Sequence, residues 1–247
     1  AYVVPGGRHF LGRLRVAKYM AEKKRRNQKI TLRDTALKDL LLWKRFLAIA
    51  ERGLSLNLLT FRNPTHCYRS DSSLHGIGGY CLKTGRAWRW QIPAHLLGRA
   101  SLNCLEFIGC YICIALAFEE DGVPPQSVLL SQTDSSSAAG WMHKSSFNDT
   151  TPLHMNVARA LALLLLNNEC VAHSTWIAGM VNDIADCLSR DFNLSDEKLT
   201  ALLSLHVPEQ LPETFAISPL PPKIVSGVTS WLEQLPPPKE SLSEPTR

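Results

Sequence analysis

The chain has 247 residues, 45% of them apolar and 20% charged, which excludes wholesale disorder and leaves room for one good-sized domain with appendages. Its net charge of +5 is uneven: residues 1–60 hold 14 Lys and Arg against 4 Asp and Glu, and the remainder holds 13 against 18. Seven cysteines with a single Cys-x-x-Cys pair, Cys110 and Cys113, fit neither a disulfide framework nor a zinc module and suggest a reducing, intracellular compartment; the apolar runs Ile108–Phe118 and Ala160–Leu166 are too short to span a bilayer, so no membrane is expected as a partner.

In chain order, apolar positions Phe10, Leu11, Leu14, Val16, Tyr19 and Met20 predict a helix from His9 to about Arg26, ending in Lys23-Lys-Arg-Arg, where cations suit the helix dipole. Thr31-Leu-Arg-Asp reads as an N-cap with a carboxylate three residues on, opening a second helix through Leu37, Leu40, Leu41, Trp43, Phe46 and Leu47 to Gly53. This basic lead-in is a candidate polyanion handle, with 54–64 as a connector. Three strands follow, Cys67–Asp71, Ile77–Leu82 and Ala87–Ile92, the last two joined by the turn Lys83-Thr-Gly-Arg. Alternation puts Trp88, Trp90 and Ile92 on one face and Arg89 and Gln91 on the other. Then come a long apolar helix, Ser101–Glu120, a buried-type strand, Gln126–Thr133, helices over Ser135–Lys144 and Leu153–Leu166, a fifth strand, Cys170–Ile177, and a helix over Asn182–Ser189. The order predicts an α/β fold, a mixed sheet flanked by helices. Beyond Arg190, residues 205–247 hold 9 of the 15 prolines and read as linker, interrupted by short helices near Leu199–Leu205 and Ser230–Gln234.

Four acids carry the chemistry. Asp71 ends the first strand ahead of Ser72-Ser-Leu-His-Gly-Ile-Gly-Gly, whose glycines allow sharp turns and close approach to a ligand. Glu106 interrupts an apolar helix, with Leu102, Cys110 and Cys113 on its side, where an unpaired charge is costly and metal coordination removes the conflict. Asp134 sits at a strand-to-helix junction, and Asp186 shares a helix side with Asn182. Each alone has an ordinary reading as turn residue, paired acid, N-cap or solvated helix acid. Delivered in this order by a mixed sheet, they suggest two divalent cations held by shared carboxylates.

From about Thr65 to Arg190 the chain resembles a ribonuclease H domain. Ala185-Asp-Cys-Leu-Ser-Arg is similar to the ending of that domain in retrotransposon polyproteins. The lead-in Pro5-Gly-Gly-Arg-His-Phe-Leu-Gly-Arg-Leu, the Asp34-x4-Asp-Leu-x2-Trp spacing and the tail resemble its setting downstream of a reverse transcriptase in DIRS-like elements, and a start without Met fits a piece of such a polyprotein. The resemblance implies a five-stranded sheet in order 3-2-1-4-5. It divides the chain into a connection segment, 1–63, a ribonuclease H-like domain, 64–191, and a C-terminal linker, 192–247. It also implies magnesium-dependent hydrolysis of the RNA strand of RNA/DNA hybrids, with two ions, manganese as a substitute, and 3′-hydroxyl and 5′-phosphate products. Asp71, Glu106, Asp134 and Asp186 match the family's metal carboxylates. Ser73 and Asn103 match its minor-groove positions, where 2′-hydroxyls identify RNA, Asn182 matches an Asn near the last acid, and Ser135 joins them as a substrate contact. Many members carry Gly-His before the last acid, whereas this chain has Gly179-Met180, with Met180 expected to pack and His173 expected as a strand residue. No Tyr-x-Asp-Asp polymerase signature is present. The competing reading is a catalytically silent module that binds hybrid; an integrase-like core is disfavoured by the Ser-Arg ending.

Overall fold

Short alternating runs build the sheet. The computed structural model describes residues 7–23, 29, 31–53, 62–144 and 152–238. Strands β1 (His66–Ser72), β2 (Gly76–Cys81) and β3 (Arg86–Gln91) form an antiparallel meander. Tyr68, Ile77, Trp88 and Trp90 enter one apolar core, while Tyr80 and Ala87 enter a second on the opposite face, as a period of two requires. Strand β4 (Val128–Thr133) runs parallel to β1, and β5 (Val171–Trp176) parallel to β4. The order β5-β4-β1-β2-β3 is the expected 3-2-1-4-5, extended by a two-residue strand, β6 (Ala216–Ile217), parallel to β3.

The first core lies under a helical layer. It contains α2 (Asp34–Ala50), α3 (Leu102–Glu119), α4 (Ser136–Lys144), α5 (Pro152–Asn167) and α8 (Pro222–Glu233). Helix α3 is apolar nearly all round because it is enclosed; by length and composition it could cross a membrane, yet 72% of it is buried inside the fold, which explains its apolarity as core. The second core lies under α6 (Asp183–Arg190) and α7 (Asp196–His206). The result is an α/β fold, a mixed sheet with helices on both faces, as expected from the order of elements.

The lead-in is pinned by charge as well as by apolar packing. A 3-10 turn, Gly7–Leu11, buries Phe10 against Phe46 and leads into α1 (Gly12–Glu22). Asp39, fully buried on α2, accepts from Arg13 of α1 at 3.0 Å and from Arg159 of α5 at 2.6 Å. Of the expected apolar stripe of the first helix, Leu11 and Leu14 are half-buried, while Val16, Tyr19 and Met20 are all more than half exposed. The Thr31 cap is not used: α2 starts at Asp34, which pairs with Lys38 one turn on, and the residue before it, Arg33, makes no side-chain cap bond. The basic run at 24–26 and the connector at 54–61 lie outside the described residues.

The linker reading of the stretch after Asp191 is corrected as far as 238. Ser195 caps α7 by accepting from the Lys198 amide, and Leu199 and Leu203 enter the second core. Helix α8 runs 12 residues, well beyond the short helix expected at Ser230–Gln234. Ile224, Val228 and Leu232, spaced by four, lay a buried stripe on the first core, and Trp231 meets Tyr111 edge-on at 5.0 Å. The prolines that suggest a linker instead punctuate: Pro222 occupies the first turn of α8, where no amide hydrogen is missed.

Candidate metal centre and its cleft

Parallel pairing places the first two acids. Arg69 lies opposite Gln132, so two residues further on Asp71 and Asp134 leave the carboxyl ends of neighbouring strands together, the usual place for a crevice in such sheets. Helix α3 brings the third. Gly109, one turn after Glu106, lets the helix close on the sheet, since a Cβ there would stand 3.1 Å from Ile77 and 3.4 Å from Ser70. Ligand oxygens of Asp71, Glu106 and Asp134 lie within 4.8 Å of one another. A cleft of about 350 Å³ opens on them, with Asn103, Ser135 and Arg190 also in its wall.

Two hydroxyls and an amide aim the buried acids. Glu106 accepts from the Ser72 amide at 3.2 Å and from the Thr133 hydroxyl at 3.1 Å, while Thr133 Oγ1 in turn accepts from the Ser135 amide. Asp71 accepts from the Ser189 hydroxyl at 2.7 Å. None of these donors is a cation. Burial, with Asp71 and Asp134 beside it, therefore pushes the Glu106 carboxyl up to about 9. Burial likewise lifts Asp71 to about 6, helped by Asp134 and Asp186 and opposed by the Ser189 bond. The donor set is all carboxylate oxygen, the chemistry that a hard divalent cation prefers, and such an ion would supply the missing positive charge.

The fourth acid stands apart. Asp186 is not in the three-acid group; its Oδ1 accepts from Arg190 Nε in an i, i+4 pair, with both side chains about half exposed. Among the substrate candidates, Asn103 and Ser135 line the cleft, and the Ser135 hydroxyl also caps α4 by accepting from the Ala138 amide. Ser73 and Asn182 do not line it. The buried Ser73 hydroxyl closes the β1–β2 turn, accepting from the Gly76 amide and donating to the Ser189 carbonyl, and Asn182, fully buried, donates to the Ser70 carbonyl and so ties the start of α6 to β1. Both residues serve the packing of α6.

The glycine run after Asp71 also serves α6. A Cβ on Gly78 would stand 2.6 Å from the Leu188 carbonyl carbon and 2.8 Å from the Ser189 nitrogen, and one on Gly76 would meet the Phe192 ring. The close approach expected toward a ligand is therefore an approach of helix to sheet, which is what carries Ser189 to Asp71. Beside Asp134, Trp176 Nε1 donates to its backbone carbonyl at 2.8 Å, and Gly179 is close enough that a Cβ would lie 3.4 Å from Asp134 Oδ2. The next residue, Met180, does not pack as expected: it is 78% exposed. His173 lies within β5, as expected.

Sequence reasoning passed over Thr133, Ser189 and Arg190 as working residues. Thr133 directly precedes an acid, and Ser189 and Arg190 follow Asp186 by three and four, so helical spacing was the available signal.

No protein-family model matches the chain, and no curated protein is similar to it in sequence. Among solved structures it is similar to RNase H1 from the halophilic archaeon Halobacterium salinarum, at 16% identity and a TM-score of 0.40, over 51% of this chain and 97% of that one. It is also similar to the N-terminal RNase H domain of a Mycobacterium tuberculosis protein, solved as a fusion with maltose-binding protein, at 16% identity and a TM-score of 0.38, over 51% of this chain and 96% of that one.

Proposed function

We propose that this chain is a divalent-cation-dependent nuclease that hydrolyses the RNA strand of RNA/DNA hybrids. The observation that carries the reading is the group Asp71, Glu106 and Asp134, with oxygens within 4.8 Å, and with Asp71 and Glu106 buried and aimed by neutral donors. When bound, two magnesium ions, or manganese in their place, would activate a water against the scissile phosphate and steady the departing 3′ oxygen. The protein's part is placement. Asp71, Glu106 and Asp134 would hold the ions, and Asp186 would join them once it leaves Arg190. Thr133 and the Ser72 amide keep the Glu106 carboxylate turned into the cleft, and Ser189 does so for Asp71. Asn103 and Ser135, both in the cleft wall, would meet the 2′-hydroxyls that distinguish RNA. The setting we infer is a retroelement polyprotein, intracellular, with a reverse transcriptase upstream and the basic lead-in along the hybrid's backbone.

A labelled 20-base-pair hybrid tests this beside all-DNA and all-RNA duplexes of the same sequence. Magnesium-dependent cuts confined to the RNA strand of the hybrid, leaving 3′-hydroxyl ends, are expected. Hybrid binding without cleavage by the wild type would reduce the chain to a silent binding module.

A further inference from the structure

Arg190 is the one cationic side chain in the wall of the acid cleft among the described residues, and it is bonded to the acid that stays outside the cluster. The backbone beneath it is anchored. The Ser189 hydroxyl donates to Asp71 at 2.7 Å, and the Ser189 carbonyl accepts from Ser73 at 2.8 Å. The side chains of Arg190 and Asp186 are by contrast 54% and 46% exposed, so their pair sits in a solvated setting where such bonds are weak.

We propose that Arg190 is a resident counter-cation and positioning residue: it holds Asp186 while the cluster carries no divalent ion, releases it on loading, and then turns its guanidinium to a phosphate oxygen of the bound strand. Two physical reasons lead there. A divalent ion entering a cleft of this size repels the guanidinium and competes for Asp186, while a polyanionic strand laid over an acidic cleft needs a cation at its wall. The planar fork of arginine fits a phosphate bidentately, and only Nε is engaged with Asp186. The inference rests on the nuclease reading above.

Manganese, counted by loss of its free-ion paramagnetic signal in the absence of nucleic acid, is the probe. Arg190→Gln is expected to bind it tighter than wild type, on the order of three- to tenfold, because Asp186 is no longer engaged and the local repulsion is gone. With magnesium and labelled hybrid, the same variant is expected to show a higher KM. Arg190→Lys keeps the charge and loses the fork, so its manganese affinity should stay near wild type while its KM rises. A purely structural residue would lower the melting temperature and leave manganese affinity unmoved. Unchanged or weaker manganese binding by a folded Arg190→Gln overturns the proposal, and so does an unchanged KM in Arg190→Lys. If wild type takes up no manganese, the nuclease reading falls and this inference with it. If wild type binds and Asp134→Asn does not, while Arg190→Gln matches wild type, only the role of Arg190 falls.

Discussion

Glu106→Gln is expected to make the metal-free protein more stable and the enzyme nearly inactive, two effects of opposite benefit from one substitution. The folded-state pKa of Glu106, about 9, lies above its ordinary value of 4.5, so the folded protein binds this proton more tightly than the unfolded chain does. Stability from this group is complete below about pH 4.5 and is lost as pH rises through about 9. Asp71 adds a smaller loss of the same sign between its ordinary 3.8 and about 6. Glutamine carries no proton to lose, and it can still accept from the Ser72 amide while donating to a rotated Thr133 hydroxyl. Urea melts without divalent ions should therefore show wild type falling steadily below the variant from pH 5 to pH 8, by on the order of 2–3 kcal/mol at the upper end. Cleavage of the hybrid should drop roughly 10²–10³-fold or more, the scale seen when one preorganised electrostatic group is removed. A variant less stable than wild type at pH 8 would mean that Glu106 is compensated in the fold and is not an acid awaiting a cation.

Asp39→Ala should produce the largest loss of stability of any single substitution considered. Its carboxylate is fully buried and shared by Arg13 and Arg159, whose side chains are only 13% and 14% exposed. Removing it leaves two nearly buried guanidinium groups facing one another, and breaking a buried pair in this way costs about 3–5 kcal/mol. For a chain of this size that is roughly a 10 °C fall in Tm. The measurement is thermal melting of the whole chain, with Asp34→Ala as the control, because Asp34 makes only an exposed i, i+4 pair with Lys38 and should shift Tm little. Equal shifts for the two variants would show that the lead-in is not held to α5 through Asp39. Hybrid cleavage by Asp39→Ala, measured well below its Tm, is expected to keep its kcat, since neither Asp39 nor its two arginines line the acid cleft, while its KM rises as the lead-in proposed along the hybrid's backbone comes loose.

Period-two alternation and the order of elements made most of the sheet legible. The face shared by Trp88, Trp90 and Ile92 was readable from three residues, and the strand order followed from the family resemblance. The tail was misread because proline counts do not distinguish linker from punctuation; the decisive feature, the four-residue spacing of Ile224, Val228 and Leu232, is visible once a helix is assumed to begin at Pro222. The start of α2 was misplaced because Thr31 and Asp34 satisfy a capping pattern that the backbone does not use.

At the site, Glu106 was legible on physical grounds alone, as an acid where none should be comfortable. The part of α6 was not. Ser73, Asn182, Gly76 and Gly78 all look like ligand-facing residues in a one-dimensional reading, and all four work to seat one short helix against β1 and β2. Small and polar residues permit close approach, but spacing does not say whether the visitor is a substrate or another part of the same chain. Asp186 shows the same limit. Helical periodicity put it on a side with Asn182, yet its nearest charge is Arg190, which follows by the same four residues in the other direction.

Calorimetric titration of magnesium at pH 7, in two buffers of different ionisation enthalpy and with wild type beside Asp134→Asn, tests the central claim that the three clustered acids are a cation site. Glu106, held protonated up to about pH 9, must give up its proton to coordinate, so saturable binding by wild type should release close to one proton per protein molecule and differ in heat between the buffers. Asp134→Asn should bind far more weakly. Absence of saturable binding by wild type, or equal affinity in the two proteins, would contradict the account.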